Sequence, residues 1–258
     1  MIMDHKLKLM VVDDSPLFRT WLIHSLSADD RFQVVGYAVN ALDAQEKIPL
    51  LQPDILTLDI EMPGMSGIDF LKQLLPVHPI PVILVSSLNL RVFDALEAGA
   101  VDFVRKPDEA NGLSKEIFLS MLRSKLLVAA ASHVHLPSVP ASPQAAKKRI
   151  VSPLTAAGNP FLNRPKTSAA ASQETVIAIG ASTGGTEAIL EVVKNFPADT
   201  PGVVITQHMP AGFTAMYAER LNRICKMEVR EAKNGDRIRK GLMLLAPGGL
   251  QMRVVPLG

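Results

Sequence analysis

Two groups of residues in this chain have the types and spacing to do chemistry. In the first, Asp13 and Asp14 close the apolar run "LKLMVV", Asp59 closes "DILTL", Ser86 closes "PVILV", and Lys106 follows "DFVR". Three carboxylates brought to one place repel each other and need a compensating cation, and an open oxygen-lined site suits hydrated Mg²⁺. That cation and Lys106 together would neutralise a phosphoryl group carried by one carboxylate. Singly, the residues have plainer uses: Asp14 in "DDSP" can cap a helix beginning near Pro16, and Lys106 can be an ordinary surface lysine. The second group is Ser182 and His208. In "VIAIGASTGGTEAI", Gly180, Ser182 and Gly184 satisfy the G-x-S-x-G pattern of a strand-to-helix nucleophile elbow. A phosphate cradle at a helix start uses similar glycines, but a P-loop needs Lys and then Ser or Thr after them. Here Thr186 and Glu187 follow Gly185, and a carboxylate there would repel a triphosphate. A third reading makes Ser182 the helix cap. His208, closing "VITQ", would stand at the same sheet rim and could take the proton that keeps a serine hydroxyl a poor nucleophile.

The elements that must position these residues follow from the apolar pattern. From Leu7 to Leu127, apolar runs alternate with amphipathic segments: "LKLMVV", Pro16 to Leu26, "FQVVGYA", Ala41 to Leu50, "DILTLD", Gly67 to Leu75, "PVILVS", Arg91 to Ala98, "DFV", and Leu113 to Leu127. Short continuous apolar strands alternating with helices predict a doubly wound parallel sheet covered on both faces. Such sheets hold their ligands beyond the carboxyl ends of the strands, where the first group would converge. Residues 128–174 change to Ala, Ser and Pro without apolar period and read as a flexible linker. His133 and His135 lie there without a third ligand and read as solvated, and the basic run Lys147, Lys148 and Arg149 is too short for more than a weak contact. From Thr175 the α/β pattern resumes with "VIAIGAS", Gly185 to Asn195, "GVVITQH", Phe213 to Ile224, "MEVREA", "GLMLLAPGG" and "MRVVP". This stretch is small for a sheet covered on both faces, so the second domain is expected to be incomplete.

Composition narrows the function classes. The 258 residues are 48% hydrophobic, enough for two cores, and the net charge of +2 is too balanced to imply nucleic acid or a membrane surface as partner. The single cysteine, Cys225, sits in "AERLNRICKMEV" on an apolar helical face and reads as packing in a reducing compartment. The start "MIMDHKLKLMVVDD" is unlike a signal peptide and no run approaches a transmembrane span, which predicts a cytoplasmic protein without membrane insertion.

The motifs "VVDDS", "LDIEMPGMSG", "VSS" and "GAVDFVRKP" together resemble the receiver domain of bacterial response regulators. That resemblance implies a flavodoxin-like fold over 1–127, Asp59 as phosphoacceptor, and Asp13 and Asp14 with Asp59 as metal carboxylates for Mg²⁺. It further implies Ser86 as switch hydroxyl, Phe103 as switch aromatic and Lys106 as phosphoryl contact. Ser66 stands where receivers often carry Asp, and Ser caps a helix as well. Downstream, "IGASTGGTEAI", "QHMPAGFT" and "APGG" resemble the chemotaxis methylesterase family, whose effector domain is a protein-glutamate methylesterase and glutaminase. The second resemblance implies a Rossmann-like α/β domain, of which 175–258 is the N-terminal part, with Ser182 as nucleophile and His208 as base and then acid. It implies no cofactor for hydrolysis, a backbone oxyanion hole, a histidine kinase as phosphodonor, the cytoplasmic domains of methylated chemoreceptors as substrates, and a receiver that covers the site until Asp59 is phosphorylated.

Two positions depart from the family pattern. Leu250 and Gln251 stand near where the family shows a histidine, and the family's third catalytic residue, an aspartate downstream of "APG", has no counterpart before Gly258. The chain is therefore expected to be C-terminally truncated, either as a fragment or as a product with weakened hydrolysis. Asp236 in "AKNGDRIRKG" is the nearest replacement, though Asn-Gly-Asp reads as a turn. The competing reading is a non-catalytic signalling module acting as phosphate sink or kinase competitor. A general α/β-hydrolase fits poorly, because its acid would have to lie in the short stretch between Ser182 and His208. A transcription factor lacks its basic recognition helix.

Overall fold

The structure is a computed structural model describing residues 6–87, 91–108, 113–131 and 175–256. The histidines and the basic run of the linker lie outside the described residues. The first domain runs β1 (Leu7–Val12), α1 (Pro16–Ser27), β2 (Phe32–Ala38), α2 (Ala41–Leu51), β3 (Ile55–Leu58), α3 (Gly67–Leu74), β4 (Val82–Ser86), α4 (Val92–Glu97), β5 (Asp102–Arg105) and α5 (Lys115–Ala130). Its five strands are parallel in the order β2-β1-β3-β4-β5. The flavodoxin-like expectation holds: this order reverses direction between β1 and β3, the switch point where such sheets bind ligands.

Alternation along the strands divides the core. Leu9, Val11, Ile55, Ile83, Val85 and Val104 face Leu22 and Leu26 of α1 and Phe118, Leu122 and Leu126 of α5. Met10, Val12, Leu56, Leu58, Leu84 and Phe103 face α2, α3 and α4. Local chemistry sets the helix starts: the Ser15, Ser66 and Ser114 hydroxyls accept from the N–H groups of Phe18, Asp69 and Ile117. Ser15, not Asp14, therefore caps α1. Ser66 also donates to Asp69 Oδ2 at 2.6 Å, so serine serves the turn where receivers often carry aspartate. Helix α5 continues through Ala130, beyond the change of composition at Val128, because Leu126 and Ala129 still pack on the sheet.

The second domain runs β6 (Ile177–Ala181), α6 (Gly185–Val193), β7 (Val203–Gln207), α7 (Phe213–Ile224), β8 (Glu228–Glu231) and β9 (Leu242–Leu245), with a parallel sheet ordered β6-β7-β9-β8. "MRVVP" was expected to extend the pattern. Residues 251–256 instead form no ladder, and Val254 and Val255 are exposed, since no strand among the described residues pairs with them. The buried apolar side chains on the α2–α4 face of the first sheet are continuous with those of the second domain.

Candidate functional site

Strands β1 and β3 pair in register up to Val12 and Leu58, so Asp13 and Asp59 emerge side by side. Donor atoms of Asp13, Asp14 and Asp59 all lie within 4.8 Å of one another. Asp13 and Asp59 are buried. The Ser15 N–H donates to Asp13 Oδ1 at 2.9 Å and the Glu61 N–H to Asp59 Oδ1 at 3.1 Å. Lys106 Nζ reaches the other oxygens, 2.8 Å from Asp13 Oδ2 and 2.5 Å from Asp59 Oδ2, and lies 4.7 Å from the Phe18 ring centroid. Burial lifts the Asp13 carboxyl above the ordinary aspartate range, an effect only partly offset by Lys106 and reinforced by the charge of Asp59. Burial works against the Lys106 ammonium as well, but Asp59 and Asp13 outweigh it and its pKa rises. Three hard oxygen donors, two of them buried and that of Asp14 open to solvent, fit Mg²⁺ with water completing its shell. Ser86 and Lys106 join this rim through the β4–β5 ladder, where the Lys106 N–H donates to the Ser86 carbonyl at 2.9 Å. Phe103, three residues before Lys106 and paired with Leu84 in the same ladder, faces the α2–α4 side of the sheet and is buried.

In the second domain Ala181 pairs with Gln207 in the β6–β7 ladder, so Ser182 and His208 each stand one residue beyond a paired position on neighbouring parallel strands. The His208 N–H donates to the Ala181 carbonyl at 3.3 Å, and both side chains are exposed. The capping reading of Ser182 fails. Gly184, in left-handed conformation at φ 74°, is the N-cap of α6, and no side chain caps that helix. Asp236 is engaged elsewhere: Arg230 donates to both of its oxygens at 2.6 and 2.9 Å, and the Lys233 N–H donates to it at 2.7 Å. The Arg230 contact holds its carboxyl below the usual range. It makes no bond to His208, and no carboxylate among the described residues does so.

Several side chains that support this rim carried no signal in the sequence beyond being polar within apolar surroundings. Gln207 is buried at the end of β7. Fully buried Thr214 donates to Glu231 at 2.5 Å and accepts from the Gly248 N–H at 2.9 Å, tying α7, β8 and the "APGG" loop together. The Tyr217 hydroxyl donates to the Thr186 carbonyl at 2.6 Å, and burial pushes its pKa well above that of an ordinary phenol. Arg220 binds Glu187 at 2.7 Å and reaches Glu97 of α4 at 3.7 Å.

Comparison with known proteins agrees with this division. A CheB methylesterase family model matches residues 177–257, and a response regulator receiver domain model matches residues 9–118. The chain is 47% identical to protein-glutamate methylesterase/protein-glutamine glutaminase 2 of Syntrophomonas wolfei over 96% of its own length and 67% of the relative's. It is also 47% identical to the protein-glutamate methylesterase/protein-glutamine glutaminase of Syntrophotalea carbinolica, over 99% of its own length and 70% of the relative's. The crystal structure of the response regulator domain of Thermotoga maritima CheB is similar over 50% of this chain and 98% of that one, at 36% identity and a TM-score of 0.46. A receiver sheet followed by a sheet that carries serine and histidine on one rim thus places the chain in the protein-glutamate methylesterase/protein-glutamine glutaminase family.

Proposed function

We propose that the chain is a phosphorylation-activated hydrolase that removes methyl esters from glutamate side chains of chemoreceptors and deamidates receptor glutamines in chemotactic adaptation. The observation that carries this reading is the placement of Ser182 and His208 one step beyond the Ala181–Gln207 pair. Ser182 Oγ attacks the side-chain carbonyl while His208 takes its proton. His208 then returns that proton to the leaving methanol or ammonia, and a water molecule, deprotonated by the same imidazole, frees Ser182 and leaves glutamate on the receptor.

The regulatory half of the proposal assigns Asp59 as phosphoacceptor and Asp13, Asp14 and Asp59 as the residues that hold Mg²⁺. The bound cation would supply charge neutralisation for the incoming phosphoryl group. Lys106 contacts the phosphoryl group, Ser86 is the switch hydroxyl and Phe103 the switch aromatic. A chemotaxis histidine kinase is the phosphodonor and the cytoplasmic parts of methylated chemoreceptors are the substrate. We divide the chain into a receiver over 1–127, a linker over 128–174 and part of the catalytic domain over 175–258. No helix among the described residues is long and apolar enough to cross a membrane, and we place the protein in the cytoplasm.

Methanol release from methylated receptor membranes tests the catalytic assignment. Ser182→Ala and His208→Ala should each lower it by roughly 10³-fold or more. Release unchanged by Ser182→Ala would place the nucleophile elsewhere, and no release above background from the wild type with its receiver phosphorylated would leave the non-catalytic signalling module as the better reading.

A further inference from the structure

Gln207 ends β7 immediately before His208 and is 7% exposed. Its Nε2 donates to the Ser182 carbonyl at 2.8 Å. The same carbonyl accepts from the Gly185 N–H at 2.8 Å, so both of its lone pairs are engaged. The turn that presents Ser182 is therefore closed from within by Gly185 and from the neighbouring strand by Gln207. The other end of the amide, Oε1, is buried without a hydrogen-bond partner. Turning the amide over would set Oε1 against the Ser182 carbonyl, two acceptors face to face, so the donor on that side is the NH₂.

An orphaned buried oxygen is unfavourable, and an apolar side chain of the same length would fill the space without it. Packing alone gives no reason for an amide here. The bond to Ser182 does. Position 185 accommodates the same arrangement, because a Cβ on Gly185 would lie 2.2 Å from Gln207 Oε1. The glycine leaves the room that the amide fills.

The geometry points to Gln207 as a positioning residue for ester and amide hydrolysis, one that fixes the Ser182 turn against the strand carrying His208. This inference rests on the assignment of Ser182 and His208 as nucleophile and base. Releasing the Ser182 carbonyl lets the turn drift, and a displacement of about 1 Å in a catalytic group can cost about 10²-fold in rate. The effect should appear in kcat and leave KM unmoved, since Gln207 is buried and its amide nitrogen is spent on the Ser182 carbonyl.

The test uses the full-length protein with its receiver phosphorylated and compares wild type, Gln207→Leu, Gln207→Met and Ser182→Ala. Methanol release gives kcat and KM, the rate of covalent labelling by a fluorophosphonate probe reports nucleophile reactivity without receptor binding, and thermal unfolding reports stability. Gln207→Leu should lower kcat and the labelling rate by roughly 10- to 100-fold, with KM within about twofold and an unfolding midpoint no lower than wild type. Wild-type kcat in Gln207→Leu, or in Gln207→Met should the leucine variant not fold, overturns the inference. Failure of both to fold overturns it as well, because the amide would then serve folding. Wild-type activity in Ser182→Ala sinks the nucleophile assignment itself, whereas an inactive Ser182→Ala beside an active Gln207→Leu sinks only the role of Gln207.

Discussion

Phe103 and Phe213 pack with ring centroids 4.6 Å apart, the first from β5 beside the rim that holds Asp13 and Asp59 and the second opening α7 just after the His208 loop. Next to them Phe93 of α4 stacks on Tyr217 of α7 at 5.6 Å, and the Arg220 guanidinium lies 5.9 Å from the Phe93 ring centroid. One face of the receiver thus touches the helix whose Tyr217 and Arg220 hold the first turn of α6. A change at Asp59 that moves β5 or α4 has a packed path to Ser182.

Loosening that contact should raise basal activity. An aromatic pair contributes about 0.5–1.5 kcal/mol beyond its area, so Phe93→Ala is expected to raise methanol release by the unphosphorylated protein roughly 2- to 10-fold and to shrink the gain on phosphorylation. Glu97→Gln should change it by less than about twofold, because the Glu97 side chain is 75% exposed and such pairs contribute little. Lower basal activity in Phe93→Ala would mean that the receiver supports the site and does not restrain it.

Removing Thr214 should impair the rim without touching Ser182 or His208. Thr214→Val leaves the Gly248 N–H without its acceptor, and the "APGG" loop rests so closely on the His208 loop that a Cβ on Gly248 would lie 2.4 Å from the Pro210 carbonyl oxygen. The expected cost is about 1–3 kcal/mol of stability with a fall in kcat, and Thr214→Ser should restore most of both. Unfolding curves and methanol release on the two variants decide it.

Chelation should separate the two chemistries. With EDTA, labelling of Asp59 by a small phosphodonor is expected to stop, because the carboxylate cluster cannot accept a phosphoryl group without a cation. Basal methanol release should be unchanged. Mass analysis should find no label in Asp59→Asn with Mg²⁺ present, and label persisting there would place the acceptor elsewhere.

Stability at low pH should report Asp29. Hydrogen bonds from Arg31 hold its pKa down to about 2, below the ordinary 3.8. A depressed carboxyl pKa contributes stability that is present above the unfolded value and is lost as pH falls through the folded one. Arg31 is 55% exposed, so solvent screening limits the contribution to about 1 kcal/mol. Asp29→Asn is therefore expected to lower the unfolding midpoint at pH 7 by about 2–4 °C, with the difference closing as pH falls from 3.8 toward 2. A constant difference across that window would assign the loss to packing.

The rim of each sheet was legible in the sequence because it depends on local order. Asp13, Asp59, Ser86, Ser182 and His208 all end apolar runs, and parallel strands separated by helices must bring such ends to one side. Ser66 could be read as a cap for the same reason, its bonds being made within one turn.

What the tertiary structure decided lies across distances the sequence does not encode locally. Ser182 is free of capping because Gly184 takes the cap, and Asp236 is spent on Arg230, which reaches it from the preceding strand. "MRVVP" has the apolar residues of a strand but no neighbour among the described residues to pair with, and a strand exists only through its partner. Gln207, Thr214 and the paired aromatics between the domains acquire their roles from groups brought to them by folding. A polar side chain in an apolar run announces that it needs a partner, and only the packed chain determines which one it finds.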